Sequence, residues 1–248
     1  MKNKIYFLFC IAVISFSILI GSYKNHIVFL DKNTLYHFLI QDGDNYYKTF
    51  TEKDMKVRNI KNIQDYYNFI GKSTSEFNNI QKQNISYCIQ KADVFFSQLQ
   101  LPYINGNKVK DICWTIGSIK GKLYENGLPH TRSNVILLPS ELTNRADKEL
   151  TSLLIHEKVH VYQKLYPQHT QNYFKSNGLY VYSKRSKYDN IRANPDTDNL
   201  IYKDTDGTLY AKEYIEEPKQ IEDVTLENVD HPNEKMSYDI GNMFSMKN

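Results

Sequence analysis

Cysteine is scarce in this 248-residue chain, with one each at positions 10, 88 and 113. Three are too few for a disulfide framework. Cys10 falls in an apolar N-terminal segment, which leaves Cys88 and Cys113 either as a pair in an oxidising compartment or as two reduced, buried thiols. Charge of one sign is also missing. Thirty-one basic residues stand against 28 acidic ones, a net +3, so nothing in the composition argues for nucleic acid as a partner. There is no internal repeat and no long low-complexity linker. Past the N-terminus, about 225 residues remain for one substantial domain or two tightly associated lobes.

What the chain does contain is His156-Glu-Lys-Val-His160. Four residues make about one helical turn, so His156 and His160 project from one face with their imidazoles close enough to share a metal ion. Glu157 sits one position on, where a general base for metal-activated water belongs. The pentad lies in a helical pattern running from Asp147 to Tyr166, with Leu150, Leu153, Leu154, Val161 and Leu165 on helical spacing, Asp147 and Glu149 in its first turn, and a stop at Pro167.

Two histidines do not complete a catalytic zinc site, which usually takes three protein ligands and a water. A metzincin would place Gly and His three and six residues after the second histidine. Gln163 and Tyr166 stand there, so that class is excluded. A deformylase-type site needs a Glu-Gly-Cys motif, and neither Cys88 nor Cys113 has that context. His169 lies beyond the Pro167 break and cannot share the helical face, though it stays an alternative. Downstream, Pro232 suits the first turn of a helix whose apolar positions Met236, Ile240 and Met243 keep helical spacing. Glu234 would project from that first turn.

This segment, His231-Pro-Asn-Glu-Lys-Met-Ser-Tyr-Asp-Ile240, resembles the Asn-Glu-x-x-Ser-Asp stretch of the thermolysin-like zincins, the gluzincins. Asn233, Glu234 and Ser237 are in register, while Tyr238 stands where the family has Asp and Asp239 comes one residue late, about 100° of helix away. The resemblance implies Glu234 as the third zinc ligand and leaves the family Asp's role, orienting a ligating His, without an obvious holder. Together with Arg192-Ala-Asn-Pro-Asp196, the two segments also look like zincin-like proteins encoded by large DNA viruses.

The expected fold class is α+β, a zincin-like domain built from a small sheet with an edge strand beside the HExxH helix, followed by a helical C-terminal part. One long helix is expected over 73–101, then strands over 109–119 and 134–138. The strand at 134–138 is read as the edge on which an extended substrate would pair, with His130 and Arg132 beside it either as ordinary exposed loop residues or as contacts to a substrate carbonyl or carboxylate. A hairpin is expected over Lys203–Tyr210, turning at Asp206-Gly207. Its acids do not follow the calcium-loop spacing. Asn194-Pro-Asp196 reads as a turn.

Ile5 to Ile20 is an apolar run after Lys2 and Lys4, at the boundary between a spanning helix and a signal peptide. The reading is a signal-anchor or signal peptide over 1–22 and a zincin-like domain over 23–248. Within that domain, 73–166 holds helix, strands and active-site helix, and 167–248 supplies the third ligand. Basic residues favour the cytoplasmic side, which places the domain outside the cytoplasm, as a single-pass membrane protein or a secreted one. The expected activity is that of a zinc metallopeptidase acting on a peptide or protein, with metal at His156, His160 and Glu234, and Glu157 as general base. Tyr238, His231 or His169 would be the extra oxyanion donor. The alternative is an inert zincin scaffold acting as a membrane-tethered binding protein.

Overall fold

The computed structural model describes residues 26–226 and 229–247; the apolar N-terminal run lies outside them. The fold is mixed α and β. Its main sheet contains β1 (Ile27–Phe29), β2 (Thr74–Ser75), β5 (Trp114–Ile119), β6 (His130–Arg132) and β7 (Val135–Pro139), in the order β1-β5-β7-β6 with β2 against the end of β5. β1, β5 and β7 run parallel, and β6 runs antiparallel to β7. β3 (Gln100–Leu101) and β4 (Ile104–Asn105) form a separate small pair.

Residues of β7 alternate between two cores. Val135 and Leu137 face α1 (Lys32–Gln41) and α3 (Ile63–Ser73), which follows the short α2 (Glu52–Val57). Ile136 and Leu138 face α4 (Asn79–Ser97) and α6 (Asp147–Leu165). A strand covered on both faces is apolar at every position, hence the unbroken Val-Ile-Leu-Leu run. On β5, Gly117 lets α1 settle against the sheet, because a Cβ there would stand 2.7 Å from Leu35 Cδ1 and 2.9 Å from Leu137 Cδ2.

Three expectations about elements change. The single helix expected over 73–101 is helical only over Asn79–Ser97, between the end of α3 with β2 on one side and β3 on the other. Ser73 ends α3 with its hydroxyl donating to the Phe69 carbonyl, Thr74 and Ser75 pair with β5, and Asn78 restarts the helix through a reciprocal capping box with Gln81. Residues 106–111 form the short helix α5 (Gly106–Asp111), capped by Asn105, so only Trp114–Ile119 of the expected 109–119 strand is extended. Finally, β7 is an interior strand and β6 is the outer one. His130 and Arg132 therefore sit in a strand and are 2% and 1% exposed. Arg132 is held by Asp42, Asp44, Tyr66 and Tyr124 at 2.5–3.2 Å, so it is part of the core and not a loop residue.

Pro167 is the first residue of α7 (Pro167–Ser176), so the chain turns there into a second helix. A three-stranded antiparallel sheet follows, β8 (Tyr180–Lys184), β9 (Leu200–Lys203) and β10 (Leu209–Tyr210), with the expected hairpin turning at Gly207, whose φ is +84°. α8 (Pro232–Lys247) closes the chain and packs along α6. The two described cysteines are both free, Cys88 buried and Cys113 exposed.

Candidate metal centre

α6 lies between α4, the sheet and α8, and its seven consecutive residues from Glu157 to Gln163 are all buried. α8 runs close beside it at Gly241. A Cβ there would meet the Ser152 carbonyl at 3.4 Å, and the Ser152 hydroxyl donates to the Gly241 carbonyl at 3.1 Å. This approach carries the first turn of α8 to the face of α6 that bears the histidines.

The structure brings His156, His160 and Glu234 together. His156 Nε2 and His160 Nε2 are 3.0 Å apart, and Glu234 Oε2 lies 3.3 Å from the first and 3.4 Å from the second. Three donors bound tetrahedrally to a zinc ion at about 2.0–2.1 Å would be separated by about 3.3 Å. The triangle has those dimensions, and its ligand set of two imidazoles and a carboxylate is a catalytic one. The electrostatics also favour a cation. Burial alone would depress the His160 pKa, yet the nearby Asp196 and Glu234 carboxylates raise it to about 9. Burial opposes ionisation of Glu234 as well, and the two histidines nevertheless hold its carboxyl well below the usual range.

Two of the three donors, His160 and Glu234, are positioned by residues that sequence reasoning did not find. His160 Nδ1 is 2.9 Å from Gln163 Oε1, whose amide nitrogen donates to the Asn233 carbonyl at 3.0 Å. This chain of bonds places a proton on Nδ1 and turns Nε2 toward His156 and Glu234. Ser237 Oγ is also near Nδ1, at 3.3 Å. The Asn194 side chain donates to Glu234 Oε1 at 2.7 Å, holding the other carboxylate oxygen toward the histidines. Asp239 takes no part: its Oδ2 accepts from Tyr173 at 2.8 Å and Lys235 at 3.0 Å. The signal for Gln163 was its place three residues after His160, on the same helical face. Asn194 and Asp196 gave only a turn signal.

Glu157 is buried, and the Thr131 hydroxyl on β6 lies 3.1 Å from its Oε2. Burial, then the charge of Asp196, push its carboxyl well above the usual range. His169 is not a ligand. Its Nδ1 contacts the Tyr162 hydroxyl and its ring stacks on Tyr166, outside the cleft. Of the three expected oxyanion donors, only Tyr238 lines the cleft, with its ring 4.6 Å from that of His156. His231 instead faces Asp198, at 3.2 Å.

The cleft above the three donors has a volume of about 610 Å³, within the usual size of a ligand site. One wall is a stripe of α6, namely Glu149, Ser152, Leu153, His156 and Glu157, and Asn194 to Asp196 form part of the opposite side. That loop closes the outer edge of β6. The Thr131 N–H donates to Asp196 Oδ1 at 2.5 Å, and its carbonyl accepts from Lys164 Nζ at 2.5 Å. Both peptide groups that an added substrate strand would need at Thr131 are thus engaged, which overturns strand addition as the expected mode of binding. No protein-family model, no curated protein and no solved structure matches this chain.

Proposed function

We propose that this protein is a zinc-dependent hydrolase, a metallopeptidase of the zincin type with a gluzincin-like ligand set. The observation that carries this reading is the His156–His160–Glu234 triangle, whose 3.0, 3.3 and 3.4 Å edges suit one tetrahedral ion. The HExxH pentad supplies the identity of the chemistry, and the open cleft favours catalysis over an inert scaffold, whose cleft would be filled.

Zinc held by these three residues would supply Lewis acidity and a water of lowered pKa. Glu157 takes a proton from the attacking water as its oxygen bonds to the amide carbon, then passes that proton to the nitrogen as the C–N bond breaks. Thr131 holds the Glu157 carboxylate in place. Gln163 keeps His160 in the ligating tautomer, and Tyr238 is the donor available to the developing oxyanion. The apolar run at 5–20 would tether the domain to a membrane as a single-pass anchor, with the domain outside the cytoplasm. No helix among the described residues is long and apolar enough to cross a membrane.

The test is the metal content of the purified full-length chain beside its Glu234→Ala variant. One zinc per chain in the parent and a large loss in the variant would support the reading. A parent chain that takes up no zinc would refute it.

A further inference from the structure

The chain holds five arginines. Three are buried and ion-paired: Arg58 with Asp54 and Glu125, Arg132 with Asp42 and Asp44, and Arg185 with Asp54. The other two, Arg145 and Arg192, both line the cleft above the metal donors. Among the described residues, neither has a carboxylate within ion-pair distance, and Arg192 is half-buried. A guanidinium held partly out of water without a counter-charge is set up to take an anion, and its planar fork suits a carboxylate in particular.

The carboxylates of the cleft do not supply that anion: Glu125 is paired with Arg58. Glu157 and Asp196 are engaged by Thr131, and Glu234 by the histidines and Asn194. Glu222 accepts from Asn126, and Asp230 lies 4.0 Å from Lys212. Glu149 occupies the first turn of α6, where the helix dipole accommodates an acid. Arg192 is also rigidly based: its N–H donates to the Lys212 carbonyl at 2.9 Å, and that of Ala193 donates to the buried Asp54 at 2.9 Å.

The two arginines mark different distances from the reacting centre. Arg192 is two residues before Asn194, which touches Glu234. Arg145 stands two residues before α6, whose first residue Asp147 lies about 14 Å along the helix axis from His156. That separation is about four residues of extended peptide. With the edge of β6 closed, recognition falls to side chains and not to main-chain pairing.

We propose that this site, read as the hydrolase above, selects acidic substrates. Arg192 takes a carboxylate beside the scissile amide, and Arg145 takes a second one about four residues away. The carboxylate comes from an Asp or Glu side chain or from a chain terminus.

The test uses the full-length, zinc-loaded chain and synthetic peptide libraries in four arms: Glu or Gln at varied positions, each with a free or an amidated C-terminus. Cleaved bonds are read by mass spectrometry. Peptide retention is read separately on the Glu157→Gln chain. The expected result is an acid preference of about ten- to hundredfold, the range of one charged hydrogen-bonded contact. Arg192→Gln should abolish it and Arg192→Lys should restore part of it. If the Glu arm alone carries the preference, the anion is a side chain; if the free-terminus arm carries it, the anion is a terminus. Cleavage without any acid preference would overturn the proposal and leave the hydrolase standing. A preference untouched by Arg192→Gln and Arg145→Gln would overturn it as well. Retention of acidic peptides that are never cut would keep this proposal and remove the hydrolase. If Arg192→Gln loses zinc or helical content, Arg192→Lys and Arg145→Gln decide the same question.

Discussion

His160 Nδ1 lies 2.9 Å from Gln163 Oε1, and this contact turns Nε2 toward His156 and Glu234. Because the Gln163 amide is itself anchored on the Asn233 carbonyl, one side chain ties the HExxH helix to the segment that presents Glu234. Residues that orient a ligating His usually contribute ten- to a hundredfold to metal affinity. Gln163→Leu should therefore weaken zinc binding by about ten- to a hundredfold, measured by competition with a chromophoric chelator. Unchanged affinity would show that Ser237 alone suffices to orient the ring.

Glu157 carries the proton in the proposed reaction but does not belong to the donor triangle. Its replacement by Gln should leave one zinc per chain and lower the rate by roughly 10²–10⁴-fold, the usual contribution of a general base. Zinc analysis and a peptide-cleavage assay on the same sample check both halves. Full activity in a zinc-loaded Glu157→Gln protein would remove Glu157 from the mechanism.

The Thr131 hydroxyl is the contact that steadies Glu157. Thr131→Val keeps the shape of the side chain and removes that hydroxyl. The expected outcome is a fall in kcat of about tenfold, in the range of losing one positioned hydrogen bond, with metal content unchanged. A rate equal to wild type would mean that packing alone positions the base.

Arg132 is buried with two carboxylates, Asp42 and Asp44, on its guanidinium. Removing one partner of such a group strands the other charges, at a cost of about 3–5 kcal/mol. Arg132→Met should lower stability by about that amount in chemical denaturation, although the residue lies on the strand next to the helix that carries His156 and His160. A loss under 1 kcal/mol would mean that water reaches Asp42 and Asp44.

Glu125, on the wall of the cleft, gives a pH dependence that does not involve the three metal donors. Burial works against its ionised form, but Arg58, 2.6 Å away, holds the carboxyl below the ordinary glutamate value of 4.5. A carboxylate with a depressed folded-state pKa adds stability that is complete above the unfolded value and is lost as pH falls through the folded one. The stability difference between wild type and Glu125→Gln should thus be constant above about pH 5 and shrink below pH 4.5. Denaturation midpoints taken from pH 7 to pH 3 would check the sign; a difference that grows on acidification would contradict it.

Much of the site was legible because its punctuation is local. Pro167 and Pro232 mark where helices stop and start, His156 and His160 share a face by spacing, and Asp206-Gly207 announces its turn. What was not legible depends on partners far along the chain. His130, Thr131 and Arg132 read as a polar loop because nothing near them tells that Asp42, Asp44, Tyr66 and Tyr124 will bury Arg132. The true start of α4 was hidden because Ser73, Thr74 and Ser75 are all residues that can cap a helix, whereas Asn78 does the capping and Thr74–Ser75 finds a strand. Asn194 and Asp196 gained their roles only when the loop was laid across β6, beside residues more than thirty positions away.

The unbroken burial of Glu157 to Gln163 has a consequence for how this protein tolerates change. A surface helix offers a solvent-facing position every few residues, where substitutions pass almost unnoticed. These seven offer none. Lys158 reaches the Ile112 and Cys113 carbonyls beside Trp114, Tyr162 caps the Asn105 amide, and the rest face the donors or the core. A saturation scan should find this stretch almost silent in permitted variants, with tolerance rising at once at Leu165, where the helix meets water.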